Sequence, residues 1–288
     1  MQHSNPRPSN MRSYHCLRSV QKQYWRRGQR LPPLQGQRKN CSASQVLAST
    51  PGQLQLQGLT YQDITKQLAQ RVLQLLARQA EGRRMVVGLA GAPGSGKSTL
   101  ARCVVEAVNA QQGAQVAALL PMDGFHYYRR ELDAMPDPQA AHARRGAAWT
   151  FDATAFVASV RRAREEASLP LAVPSFDHGV GDPVPGDIWL QPFHRVVVVE
   201  GNYCLLDSPP WCELQQMWDE TWFADIDLDL AMERVFRRQV ALGVLADVSL
   251  RRIQSNDRPN GELVLTSRPR AAVLVPTSVP FETELHNA

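Results

Sequence analysis

The run Gly91-Ala92-Pro93-Gly94-Ser95-Gly96-Lys97-Ser98-Thr99 satisfies the pattern GxxxxGK[ST]. Glycines at these spacings let the backbone curl around an anion with its N–H groups pointing inward, and a helix starting at Lys97 adds its partially positive N-terminus. Lys97 would then neutralise charge on the β- and γ-phosphates of a nucleoside triphosphate, and the Ser98 hydroxyl would hold Mg²⁺. A glycine-rich turn that binds nothing is the competing reading. The apolar run Met85 to Ala90 before it and the helical pattern after it favour the phosphate cradle.

Two acids stand at the ends of predicted strands, where open parallel sheets bind their ligands. Asp123, in Pro121-Met122-Asp123-Gly124-Phe125-His126-Tyr127, follows one strand and is the candidate general base for a hydroxyl approaching the terminal phosphate. Before Gly124 it also suits an Asx turn. Glu200 follows Val196-Val197-Val198-Val199 and is the candidate second Mg²⁺ ligand, since a strand-end acid buried with no partner would be costly.

The elements that must position these groups can be read from hydrophobic period. Ile64, Leu68, Val72, Leu75 and Leu76 recur at helical spacing from Thr60 onward, which marks the start of the folded domain. A strand is expected at 85–90, a helix at 97–112, a strand at 115–120 and a helix near 153–167 with Asp152 as N-cap. Strands follow at 171–176 and 195–199, helices at 229–242 and 246–254, and a last strand at 271–275. Alternating strands and helices predict an α/β three-layer sandwich: a mostly parallel central sheet, helices on both faces and a small helical lid. The Gly- and Pro-rich stretch 177–192 reads as a loop or short hairpin inserted before a core strand.

Net charge is +5, but no Asp or Glu precedes Asp63, so the excess lies in an opening segment rich in Arg, Ser, Gln and Pro. Residues 1–58 are expected to be a disordered basic segment and 59–288 the folded domain. The acid-free segment has the composition of an organelle transit peptide, with Asn40-Cys41-Ser42-Ala43-Ser44 suggesting a chloroplast over a mitochondrion; a retained basic arm on a cytoplasmic protein is the alternative. Apolar runs such as Val196 to Val199 are far shorter than the roughly 20 residues a membrane helix requires, so a soluble chain is expected. Five cysteines form no metal-ligand spacing; Cys204 and Cys212 are the pair with any prospect of bridging.

Taken together, GAPGSGKST, PMDGFHY, RRGAAWTFD at 144–152, PSFD at 174–177 and VVVVEGNYCLLD at 196–207 resemble the uridine kinase, phosphoribulokinase and pantothenate kinase superfamily, and most of all its uridine-kinase-like branch. The resemblance spans about 60–275. It implies ATP and Mg²⁺ as cofactors, with Gly91 to Thr99 cradling the nucleotide, Ser98 and Glu200 holding the metal, and Asp123 and Lys97 at the reacting phosphate. It also implies that Arg234, Arg237 and Arg238 lie on a lid helix whose guanidinium groups close over the phosphates, with Arg238 catalytic. By position, Asp123, His126, Tyr127, Arg145, Phe176, Asp177, His178 and Tyr203 would line the acceptor pocket, while Asn256, Asp257 and Asn260 would touch adenine or the lid. The loop after Asp177 lacks the histidine pattern of nucleoside-specific members, which leaves the acceptor open among nucleosides, sugars and pantothenate-like hydroxy acids.

The expected reaction is transfer of the γ-phosphoryl group of ATP to a hydroxyl of a small metabolite. The alternative is a nucleotide-driven ATPase switch without an acceptor; a guanine-specific switch needs an NKxD segment, and no lysine follows Lys97. The tail lacks interleaved stacking aromatics beyond Tyr14, Tyr24 and Trp25, so no nucleic-acid partner is expected, nor a membrane; a homodimer stays open.

Overall fold

The computed structural model of the chain describes residues 52–280 apart from Glu81 and His178. The expected basic segment lies, up to Pro51, outside the described residues, and so does His178. The strands are β1 (Leu54–Gln55), β2 (Met85–Ala90), β3 (Ala117–Pro121), β4 (Leu171–Asp177), β5 (Asp182–Leu190), β6 (Val196–Glu200), β7 (Glu220–Asp225) and β8 (Val273–Pro276). The helices are α1 (Tyr61–Leu76), α2 (Lys97–Gln112), α3 (Arg129–Asp133), α4 (Pro138–Ala143), α5 (Ala153–Glu165), α6 (Leu228–Ala241), α7 (Ala246–Arg252) and α8 (Arg258–Leu265).

Six strands form one parallel sheet in the order β1-β8-β7-β2-β6-β3. Every residue of β2 and of β6 is buried, as continuous apolar runs in a sheet covered on both faces require. Alternate residues divide between two cores. Met85, Val87, Leu89, Val196 and Val198 pack under α1 and α2, whereas Val86, Ala90, Val197 and Val199 face α5 and the aromatic rings of Phe156, Tyr203 and Trp211. The expected three-layer α/β sandwich is therefore present.

Several boundaries and two whole strands, β1 and β7, differ from expectation. Leu54 and Gln55 pair with β8, so the folded domain begins ahead of the 58/59 boundary. The strand begun at Leu171 does not join the parallel sheet; β4 and β5 make a separate antiparallel pair, with a register irregularity between Val173 and Ser175. Strand β7 was not legible because its apolar centre, Trp222 to Ala224, is short and bracketed by acids. Those acids find partners far away in sequence: Glu220 accepts from Arg71 Nε at 2.7 Å and Trp222 Nε1 at 3.0 Å, and Asp225 is held by Arg268 at 2.8 Å.

Local signals set the helix ends. Thr60 and Asp63 exchange reciprocal hydrogen bonds of 3.1 and 3.0 Å at the start of α1, and Asp152 Oδ1 accepts from Ala155 N at 2.9 Å at the start of α5. Past Gln254, where the helix was expected to stop, the chain instead widens into a π turn at Ile253–Asp257 and continues as α8. The wide turn lies just before Pro259, whose missing N–H and ring bulk fit poorly into an unbroken α-helix. Among the described residues no helix is long and apolar enough to cross a membrane, and Cys103, Cys204 and Cys212 are free thiols.

Candidate active site

Strand order assembles the site. β2, β6 and β3 are adjacent and parallel, so their C-terminal ends share one edge, with Leu89, Glu200 and Pro121 in register. The loop after β2 carries Gly91 to Gly96, Glu200 ends β6, and Asp123 follows β3 in a 3₁₀ turn at Met122–Phe125. Residues separated by more than a hundred positions in sequence thus meet because neighbouring strands point the same way.

The cradle's conformation follows from its glycines. Gly94 has φ of 78°, and a Cβ there would lie 2.2 Å from the Ala231 carbonyl oxygen of α6, so both backbone angle and packing demand glycine. Helix α2 begins at Lys97 with Gly96 as its N-cap, without a side-chain cap and without an acid in the first turn. Its first N–H groups are therefore uncompensated by any side chain, as an anion site needs. Ser95 Oγ is buried with no hydrogen-bond partner.

Ser98 hydrogen-bonds the Glu200 carboxyl, and the charges of Lys97 and Asp123 act on it. Glu200 is only 4% exposed. Burial pushes its carboxyl up to about 7, opposed by the Lys97 ammonium and by a hydrogen bond from Ser98, and reinforced by the Asp123 carboxylate. Its Oε2 is buried with no partner, as is Oδ1 of the nearby Asn202. A serine hydroxyl beside an orphaned carboxylate oxygen is a donor set suited to Mg²⁺, which takes one or two protein oxygens and completes its shell with phosphate and water. Gly124 next to Asp123 is dictated by contact: a Cβ there would lie 2.1 Å from the Pro174 carbonyl of β4.

The three lid arginines divide. Arg234 donates from Nη2 to the Thr277 carbonyl at 2.9 Å, and its Nη1 lies 3.7 Å from the position of a Cβ on Gly96, at the cradle's mouth. Arg237 pairs with Glu233 one turn back. Arg238 is exposed, and its charge acts on the Asp257 carboxylate.

Beyond Asp123 opens a cleft of about 630 Å³, lined by His126, Arg129, His142, Ala143, Arg145, Phe176, Gln239, Arg252, Asn256 and Asp257. His126 Nδ1 lies 2.8 Å from the Asp123 carbonyl, and its ring stacks on Phe151 and Phe176 at centroid distances of 3.9 and 4.8 Å. Arg145 Nη2 donates to the Tyr127 carbonyl at 2.8 Å and to Asp182 at 2.9 Å. Asn256 accepts from Arg144 Nε at 3.2 Å and donates to the Arg145 carbonyl at 2.9 Å, while Gln239 donates to Asp257 at 3.2 Å.

Three expected pocket residues have other tasks. Tyr203 is fully buried, its hydroxyl donates to the Gly146 carbonyl at 2.7 Å, and burial drives its phenol well above the usual range, so it fastens the 144–152 segment from the core. Asp177 closes the β4–β5 turn by accepting from Gly179 N at 2.7 Å and Val180 N at 3.1 Å. Tyr127 gives its carbonyl to Arg145, and its ring is not part of the cleft wall. Asn256 and Asp257, expected to touch adenine or the lid, line this cleft. Arg129, His142, Gln239 and Arg252 escaped sequence reasoning; only Arg129, two residues beyond the DGFHY motif, carried a signal of adjacency.

Comparison with known proteins agrees with this geometry. The family of the methylmalonyl-CoA mutase-associated GTPase MeaB matches residues 58–124, the cradle and its flanks. "ATP-dependent kinase YFH7" of Saccharomyces cerevisiae is 32% identical over 53% of this chain and 53% of its own length. Among solved structures, one described as a "putative fructose transport system kinase" from Silicibacter sp. TM1040 superposes with a TM-score of 0.66 at 33% identity, covering 74% of this chain and 98% of that one. The "Putative uridine kinase C227.14" of Schizosaccharomyces pombe is 40% identical over 67% of this chain and 82% of its own length. With cradle, strand-end acid and DGFHY turn in one place and identity at that level, the chain belongs to the uridine-kinase-like family of P-loop kinases.

Proposed function

We propose that the protein is an ATP- and Mg²⁺-dependent kinase that transfers the γ-phosphoryl group to a hydroxyl of a small metabolite. The observation that carries this reading is the meeting of Lys97, Ser98, Glu200 and Asp123 at one sheet edge, with a cleft opening from the Asp123 turn. The acceptor oxygen forms the new bond to the γ-phosphorus as the bond from that phosphorus to the β,γ-bridging oxygen breaks. ADP leaves with the electron pair, and Asp123 orients the hydroxyl and takes its proton late. Lys97 and the first amides of α2 stabilise charge on the phosphate oxygens, with Arg234 at the mouth of the cradle to add to them. Mg²⁺, held by Ser98 and Glu200, would neutralise the phosphates and align them for in-line transfer.

Acceptor-dependent ADP release from MgATP across a metabolite panel tests the reading. Asp123→Asn should lower kcat/KM by about 10²- to 10⁴-fold while nucleotide binding persists. ADP release at the same rate with and without every acceptor would instead support a nucleotide switch, the reading favoured by the match of residues 58–124 to a GTPase family. That match stops at Gly124, before any segment that could select a base, and no lysine follows Lys97.

The acid-free N-terminal segment is read as an import signal to an organelle, a chloroplast by composition. Sequencing the N-terminus of the protein from cells tests this, and a start at Met1 would overturn it.

A further inference from the structure

The acceptor cleft is cationic where the bound acceptor must lie. Three guanidinium groups, those of Arg129, Arg145 and Arg252, line it, against a single lining carboxylate, Asp257. Arg145 is already engaged by Asp182, at 2.9 Å, and is held in place by the Tyr127 carbonyl. The Arg252 guanidinium has no hydrogen-bond or ion-pair partner among the described residues, though its charge reaches Asp257. Arg145 Nε is buried without a partner.

The apolar side of the cleft is small. Phe176 and the His126 ring stacked against it are its aromatic wall, and Ala143 is its one aliphatic side chain. A nucleoside base asks for a broad apolar or stacking surface, whereas a short polar acceptor with an anionic end asks for planar cationic forks.

We propose that the phosphoryl acceptor is a small hydroxyl compound bearing a carboxylate or phosphate, its anionic end held by Arg129 and Arg252 and its reacting hydroxyl directed to Asp123. This rests on the kinase reading above and narrows its substrate class. Arg145 is spent on the Gly181 and Tyr127 carbonyls and on Asp182, and so fixes its wall of the cleft; Arg252, the last residue of α7, supplies a guanidinium that none of these groups occupies.

The test uses the full chain loaded with Mg²⁺ and a non-hydrolysable ATP analogue, so that the cradle is filled and cannot itself take up an anion. Ribose, ribonate and ribose 5-phosphate are titrated by calorimetry; they share a carbon chain and differ in charge, and the two acids separate a carboxylate site from a phosphate site. At least one acid should bind about tenfold or more tighter than ribose, and Arg252→Gln combined with Arg129→Gln should abolish that preference. Equal binding of all three, no binding of either acid, or a preference untouched by the double substitution overturns the proposal. In parallel, products formed from MgATP and a metabolite extract are identified by the mass of one added phosphoryl group. Neutral acceptors alone would sink this inference and leave the kinase reading standing, whereas no acceptor-dependent product would sink the kinase reading itself.

Discussion

The phosphate cradle and the acceptor cleft lie side by side yet are built in opposite ways. The cradle is one continuous turn between β2 and α2, and its properties come from backbone amides and glycine angles. The cleft draws on the DGFHY turn, α3, α4, the 144–152 segment, β4, α6, α7 and the π turn, and its walls are side chains held by hydrogen bonds between segments more than a hundred residues apart. A surface made of backbone can stay constant while the chain around it varies; one made of side chains from many elements can be re-specified by changing any of them. That is why the first region announces nucleotide chemistry and the second decides the acceptor.

Four outcomes would break or sharpen that contrast. The largest belongs to the cradle: Lys97→Ala should lower kcat/KM by at least about 10²-fold with an unchanged melting temperature, and wild-type turnover would remove the lysine from the mechanism. Next, Gly124→Ala must displace the Pro174 carbonyl, 2.1 Å from the added carbon, and should destabilise the fold by about 1–3 kcal/mol in denaturant titrations. Because that contact joins the Asp123 turn to β4, the variant's residual folded fraction should also show a raised acceptor KM.

On the cleft side, Asn256→Ala cuts the links to Arg144 and to the Arg145 carbonyl and should cost about 1–2 kcal/mol, seen as roughly a tenfold rise in acceptor KM. MgATP affinity should hold; a parallel loss would assign the π turn to the nucleotide side. The smallest effect is a pH slope. The Glu200 carboxyl, raised by burial to about 7, binds more protons in the folded than in the unfolded chain. Its contribution is present below the ordinary glutamate value and is lost as pH rises through about 7, so the nucleotide-free protein should melt at lower temperature at pH 8 than at pH 5. Glu200→Gln should flatten that slope while impairing turnover; an unchanged slope would place the titration elsewhere.

Much of the site was legible before any coordinates. Glu200 and Asp123 were readable because each follows an apolar run, and the parallel sheet brings run ends to one edge, whereas Lys97 and Ser98 close the glycine motif that opens α2. Tyr203 and Asp177 were misread for a shared reason: motif position shows proximity to a site, not the direction in which a side chain points. The first points into the core and the second into its own turn. Arg252 and Gln239 gave no signal, because an arginine or glutamine on a helix reads as a solvated face until another element packs opposite it.

From the sequence alone came the α/β layering, the nucleotide cradle and its two acids, since hydrophobic period and glycine placement are local constraints that a chain satisfies wherever it folds. Tertiary structure alone decided that β4 leaves the parallel sheet to pair with β5, that β7 enters it with its acids paired by Arg71 and Arg268, and that three arginines share one cleft. Those outcomes depend on partners distant along the chain, and a partner's charge and reach act only once folding has brought it near.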